Sequence, residues 1–174
     1  MNTYISLLRG INISGQKLIK MAELREVYTK IGFNNVSSYI ASGNLAFQYQ
    51  KESHEKLQEL ILKAIKNHYG WDVPNLILNH EQVKAALDKN PYKEIEKVYF
   101  TFLSDKPTQE NIDKLFSYKF EDEYYQLIDK VIYSHTPKGP ARAKFNNNFI
   151  ENKLKVMATT RNLNTTNKLL EMSK

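Results

Sequence analysis

The sequence predicts an α+β fold in which two βαββαβ units follow one another and a helix closes the chain. Three observations carry this expectation. Residues 3–9 and 97–103 are β-type runs that are apolar on both faces, the pattern of strands buried in the middle of a sheet. After each run the same element types recur: helix, two strands across a turn, helix, strand. The length, 174 residues, suits one ordinary domain or two small ones sharing an interface.

Taken in order, residues 3–9 form the first strand and a polar, glycine-containing loop covers residues 10–20. Met21, Leu24, Val27, Tyr28 and Ile31 then recur at helical spacing, with Gly32 where a helix stop belongs. Residues 36–41 and 45–49 are strands across the Ser42-Gly43-Asn44 turn, and Leu45, Phe47 and Tyr49 share one face. Ser53 caps a helix whose stripe is Leu57, Leu60, Ile61, Ala64, Ile65 and His68, and Gly70 ends it. Residues 73–78 are the fourth strand.

Asn79 and Gln82 have the spacing of a capping box, and the helix they start carries Val83, Ala86 and Leu87 inward until Asn90-Pro91 stops it. The second half opens on strand 97–103. Thr108 caps a helix with Ile112, Leu115 and Phe116, and residues 124–128 and 131–135 form a hairpin across Asp129-Lys130. A basic loop, 136–141, leads to a helix holding Phe149, Ile150 and Leu154. Residues 156–159 are a short strand and 162–172 the terminal helix. The expected division is a first half at 1–79, a connecting helix and turn at 80–94, and a second half with the terminal helix at 95–174. A split βαβ sheet has one face covered by its helices and one left open, so the other half is the nearest candidate to cover it.

Composition narrows the function. Hydrophobic residues make up 41% and charged residues 25%, values of a packed globular chain. The absence of cysteine excludes disulfides, thiolate metal sites and a thiol nucleophile. No apolar run approaches the roughly 20 residues that span a bilayer, and the first residues lack a signal-peptide pattern, so a cytoplasmic location without membrane contact is expected. The net charge of +6 favours anionic partners.

Three stretches could hold an anion. Arg9 to Lys17 combines glycines with cations, which suits a phosphate cradle. It departs from the Walker A pattern, because Gln16 precedes Lys17 and no Ser or Thr follows. Thr159 to Thr165 brings hydroxyls and amides to a helix start beside Arg161, as caps or as ligands. His135 to Lys144 is a loop with two prolines and three cations. Each stretch has an architectural alternative, in which polar groups satisfy their own backbone. No metal is expected. His80-Glu81 begins like a zinc-protease helix, but residue 84 is lysine, and His54, His68, His80 and His135 show no ligand spacing. No cofactor pattern, nucleophile or general base can be assigned. Tyr4 and Phe47 lie on the first and third strands, where an RNA-recognition sheet would carry stacking aromatics, yet sheet core is the stronger expectation for both.

Leu7-Leu8-Arg9-Gly10-Ile11-Asn12, Lys17, Met21-Ala22-Glu23-Leu24-Arg25, Gly32-Phe33, Tyr39-Ile40-Ala41-Ser42-Gly43-Asn44 and residues 159–165 together resemble the bacterial family called domain of unknown function 1697. The resemblance runs from residue 4 to about residue 170. It implies two ferredoxin-like (alpha-beta plait) halves and no established activity. The family pattern near the third stretch is Gly, then Ser-Lys, where this chain has Ala143-Lys144. It commonly has tryptophan where this chain has Leu163.

The leading expectation is a protein that binds a phosphorylated or carboxylated small molecule, with Arg9, Gly10, Asn12, Gly15, Lys17, Ser42, Asn44, Lys144, Arg161, Asn162 and Asn164 as candidate ligands. The alternatives are a nucleic-acid-binding module and a protein-interaction module. The sequence assigns neither a reaction nor an oligomeric state.

Overall fold

A computed structural model describes all 174 residues. The protein is a mixed α/β molecule with two four-stranded antiparallel sheets and six helices. The chain divides into two compact units, one of residues 1–85 with 167–174 and one of residues 86–166.

The first sheet holds β1 (Asn2–Leu8), β2 (Asn34–Tyr39), β3 (Asn44–Tyr49) and β4 (Asn75–Leu78) in the order β2-β3-β1-β4. Its helices are α1 (Met21–Lys30) and α2 (His54–Tyr69). As expected for a strand apolar on both faces, β1 is central, with β3 and β4 antiparallel on its flanks. Strand alternation sends Tyr4 and Leu8 to the same core as Leu45, Phe47 and Ile77, where Leu24, Tyr28, Leu57, Ile61 and Ile65 of the helices meet them. The rings of Phe33 and Phe47 stack 4.1 Å apart at the middle of that core. Ser6 is buried on this face and is bonded to the Tyr28 hydroxyl at 3.0 Å. Ile5, Leu7, Ala46, Leu76 and Leu78, on the alternate positions, are buried too.

The helix ends follow their local signals. The Ser53 side chain accepts the Lys56 N–H, and Gly70 closes α2 at φ 77°. Asn79 and Gln82 bond reciprocally at 2.9 Å and start α3 (His80–Asp88) as a capping box. His68, which its spacing puts on the apolar stripe of α2, lies on the surface, bonded to Glu23 at 2.7 Å.

The second sheet holds β5 (Val98–Leu103), β6 (Tyr124–Ile128), β7 (Val131–His135) and β8 (Ala158–Asn162) in the order β6-β7-β5-β8. Helices α4 (Gln109–Phe116) and α5 (Asn147–Leu154) supply Leu115, Ile150 and Leu154 to its core, with Leu103, Ile132, Phe145 and Ala158. Thr108 and Asn146 cap the two helices through their side-chain oxygens. The hairpin turns at Asp129, φ 55°, as its sequence predicts.

The last strand differs from expectation. It runs two residues later at its start and three later at its end, so Thr160 and Arg161 pair with Thr101 and Phe100 instead of forming a loop before the terminal helix, α6 (Leu163–Met172). The strand is polar because its side chains bond to one another and to the helix layer. Thr160 meets Thr101 at 2.8 Å and donates to Asn147 Oδ1 at 3.0 Å. No helix is long and apolar enough to cross a membrane.

Candidate functional site

The glycine- and asparagine-rich loop of the first unit is built around one side chain. Asn12 donates from Nδ2 to the Ile19 and Ala41 carbonyls at 3.0 and 2.6 Å, and its Oδ1 accepts the Ile19 N–H at 2.8 Å. It thereby closes residues 12–19 into a loop and ties that loop to the β2–β3 turn. Five residues of the stretch, Gly10, Asn12, Ser14, Gly15 and Lys17, have positive φ, so the loop doubles back within a few residues. Lys17 reaches across to the Asp72 carbonyl at 2.8 Å.

Asn44 is fully buried and bonds to the Tyr39 carbonyl and to Ser42 Oγ, at 3.1 and 2.8 Å. Between these anchors Ile40 sits at φ 49°, a costly conformation for a β-branched residue. The carbonyls of its two neighbours are the ones that Asn12 and Asn44 hold. Gly43 permits the packing, because a Cβ there would stand 2.6 Å from Leu8 Cβ. Asn12, Lys17, Ser42 and Asn44 are therefore all engaged in shaping this end of the first unit. Arg9 is half-buried and its N–H donates to the Pro74 carbonyl at 2.8 Å. Gly10 and Gly15 face open space.

At the end of the second unit, Arg161 is buried and donates to Thr159 Oγ1 and to the Thr160 carbonyl at 2.8 and 2.9 Å. It pairs with Phe100 in the register, so it lies on the face opposite Leu103 and Ile132. Asn162 caps α6, accepting the Thr165 N–H at 2.8 Å. Asn164 is exposed on the first turn of that helix.

The third basic stretch forms a cleft. Two successive turns shape its loop, with Gly139 N–H donating to the Thr136 carbonyl at 2.8 Å and Arg142 N–H to the Gly139 carbonyl at 3.2 Å. Glu123 accepts the consecutive backbone N–H groups of Lys144 and Phe145, both at 2.9 Å. The cleft so framed has a volume of about 130 Å³ and is lined by Phe120, Glu121–Glu123, Thr136–Lys138 and Arg142–Lys144. Thr136 is 3% exposed, and its buried hydroxyl finds no partner within the chain. Lys144 is thus the residue of the predicted set that lines this cleft. Lys138 and Arg142 belong to the same predicted stretch. Glu123 carried no sequence signal, since its contacts lie 21 and 22 residues away in the chain.

A second concavity, of about 510 Å³, lies in the first unit between Tyr4, Lys51, Glu52, His54, His80, Glu81 and Ser173. Here Ser173 Oγ donates its one proton to the Leu170 carbonyl at 2.8 Å, so its 2.8 Å contact with His80 Nδ1 requires the proton on the ring. His80 therefore holds the Nδ1–H tautomer, with Nε2 as the acceptor when the ring is neutral. The carboxyl of Glu52, in the same lining, is held below the usual carboxylate range, chiefly by its bond from Lys56 and next by the Ser53 N–H.

Comparison with known proteins places these features in context. The family described as "Protein of unknown function (DUF1697)" matches residues 1–133. Among solved structures, a conserved bacterial protein from Streptococcus pneumoniae superposes with a TM-score of 0.77 at 25% identity, covering 99% of this chain and 98% of that one. No curated protein matches the sequence.

Proposed function

The chain belongs to the DUF1697 family of proteins of unknown function, and from its geometry we propose that it binds a small anionic molecule, phosphorylated or carboxylated, in the cleft beside Thr136. The observation that carries this reading is a cleft in which Lys138, Arg142 and Lys144 surround a threonine whose hydroxyl has no partner, whereas the two other orphaned buried atoms, the Tyr69 hydroxyl and Asn75 Oδ1, lie outside it. A buried polar group without a partner costs about 1–3 kcal/mol, and a functional ligand is one reason for a fold to keep it. Thr136 lines a cleft together with Lys138, Arg142 and Lys144; its own hydroxyl is buried behind that lining and is able to donate or accept, and the three cations favour a negative ligand. The volume of about 130 Å³ compares with the ~150 Å³ cavity that takes one benzene, so the enclosed part of the ligand has about six heavy atoms. That admits a phosphate, a small carboxylate or the charged head of something larger.

The strand orders also support reading each sheet with its two helices as a ferredoxin-like unit, since β4-β1-β3-β2 and β8-β5-β7-β6 are one pattern used twice. In the first of these, Tyr4 and Phe47 are buried in the helix-covered core, which counts against a nucleic-acid reading that stacks bases on these two rings.

The test is titration of the protein with phosphate, methylphosphonate and propionate, followed by amide chemical shifts. Saturable shifts centred on residues 120–123 and 136–144, lost in Thr136→Val and weakened in Lys144→Ala, are expected. Shifts scattered over the basic surface, or none, would overturn the proposal.

A further inference from the structure

Resting on that reading, we infer that the ligand of the cleft is a zwitterion, a small molecule carrying an ammonium group within a few bonds of its phosphonate, phosphate or carboxylate. The argument comes from what accompanies the cations. The lining combines Lys138, Arg142 and Lys144 with the run Glu121-Asp122-Glu123. Glu123 is committed to the Lys144 and Phe145 N–H groups, with one carboxylate oxygen on each. That double bond to the backbone neutralises the anion seat that the main chain before α5 would otherwise offer. Glu121 and Asp122 make no such bonds and are exposed at the rim.

A bare anion entering beside Thr136 would share a cleft of about 130 Å³ with those two carboxylates, and like charges confined to one small cleft repel even under physiological screening. A ligand with opposite charges at its two ends meets attraction at both. Its anionic end takes the basic side chains beside Thr136, and its ammonium end takes Glu121 and Asp122. The six-heavy-atom limit then selects molecules the size of β-alanine or aminomethylphosphonate. Asp122 stands at φ 61°, a conformation that Asp and Asn share, so its charge can be removed without changing the turn.

The experiment compares matched pairs by calorimetric titration of the full chain: propionate against β-alanine, and methylphosphonate against aminomethylphosphonate. The amino member of at least one pair is expected to bind about fivefold more tightly, the factor given by one well-placed exposed ion pair. In the Glu121→Gln/Asp122→Asn double variant that preference should fall to about onefold, while the affinity for the plain anion rises. Which pair responds tells a carboxylate head from a phosphoryl one. Equal binding of both members to the native protein, or a preference that survives in the double variant, overturns the zwitterion while leaving the anion site standing. Binding of neither member overturns both. Unchanged far-ultraviolet circular dichroism and an unchanged urea midpoint separate a lost preference from a lost fold.

Discussion

Replacing Thr136 with valine should make the free protein more stable and the ligand-bound protein less so. Valine keeps the β-branched shape and removes only the hydroxyl, which is buried and unpartnered in a residue 3% exposed. The Thr136 backbone is untouched, because its carbonyl rather than its side chain accepts the Gly139 N–H. Removing a buried unsatisfied hydroxyl recovers part of a penalty of about 1–3 kcal/mol, so a gain of ~1 kcal/mol is expected. With ligand at 100 times its dissociation constant, the native protein gains about 2.7 kcal/mol. The variant loses a hydrogen bond to a charged group, worth about 1.5–3 kcal/mol. At the same ligand concentration it then gains only ~1 kcal/mol, so the order of stabilities inverts. Urea denaturation with and without methylphosphonate or aminomethylphosphonate reads both halves of the effect. A variant destabilised by more than about 1 kcal/mol without ligand, with a ligand-induced gain equal to that of the native protein, would refute the reasoning. The hydroxyl would then be a structural donor with no part in binding.

Asn12→Gly keeps the positive φ but loses three bonds and strands the N–H of buried Ile19, so it should cost about 2–3 kcal/mol in urea denaturation. Asn12→Ala should cost ~1 kcal/mol more, because alanine resists φ 54°, and equal losses in the two variants would contradict the strain argument. Gly43→Ala forces a Cβ to within 2.6 Å of Leu8 Cβ at φ 82°, and a loss of more than about 2 kcal/mol is expected. Nitrogen-15 correlation spectra should show His80 protonated on Nδ1 at neutral pH, and Ser173→Ala should release that tautomer; a ring protonated on Nε2 in the native protein would contradict the bonding pattern. Burial pushes the Tyr28 and Tyr133 hydroxyls well above their usual range. Above pH ~10 the unfolded chain releases protons that the native protein keeps, so stability should fall with rising pH by up to about 1.4 kcal/mol per unit for each tyrosine. Urea curves of equal midpoint at pH 9 and 11 would exclude this.

Much of the architecture was legible because its causes are local. Ser53, Thr108 and the Asn79–Gln82 pair cap the helices they were expected to cap, and Asp129-Lys130 turns the hairpin it was expected to turn. β1 and β5 read as central strands because both their faces are apolar, and each has a neighbour on either side. The last strand read short for the opposite reason. Thr159 to Asn162 looks like helix-capping sequence, and Asn162 does cap α6. What extends the strand is pairing with residues about 60 positions earlier, such as Thr101 with Thr160, and no local pattern encodes that.

The same distinction separates motif from site. The densest patterns, around Asn12 and Ser42-Gly43-Asn44, are dense because one end of the first unit needs several residues at positive φ and two amide side chains to hold them. Their hydrogen bonds are spent on backbone carbonyls, and holding Ile40 at φ 49° is part of what they support. The cleft in the second unit is the converse case. Its loop shows two prolines and three cations in the sequence, but the rest of its lining comes from residues 120–123. What marks it is a buried hydroxyl without a partner beside three cations, while each Glu123 carboxylate oxygen holds one backbone N–H. A donor kept buried without a partner lowers stability for as long as the cleft is empty. Natural chains retain such small losses wherever stability stays above its threshold, so it is the grouping of Lys138, Arg142 and Lys144 around Thr136, and not the lost bond alone, that singles out this cleft for the proposed anion.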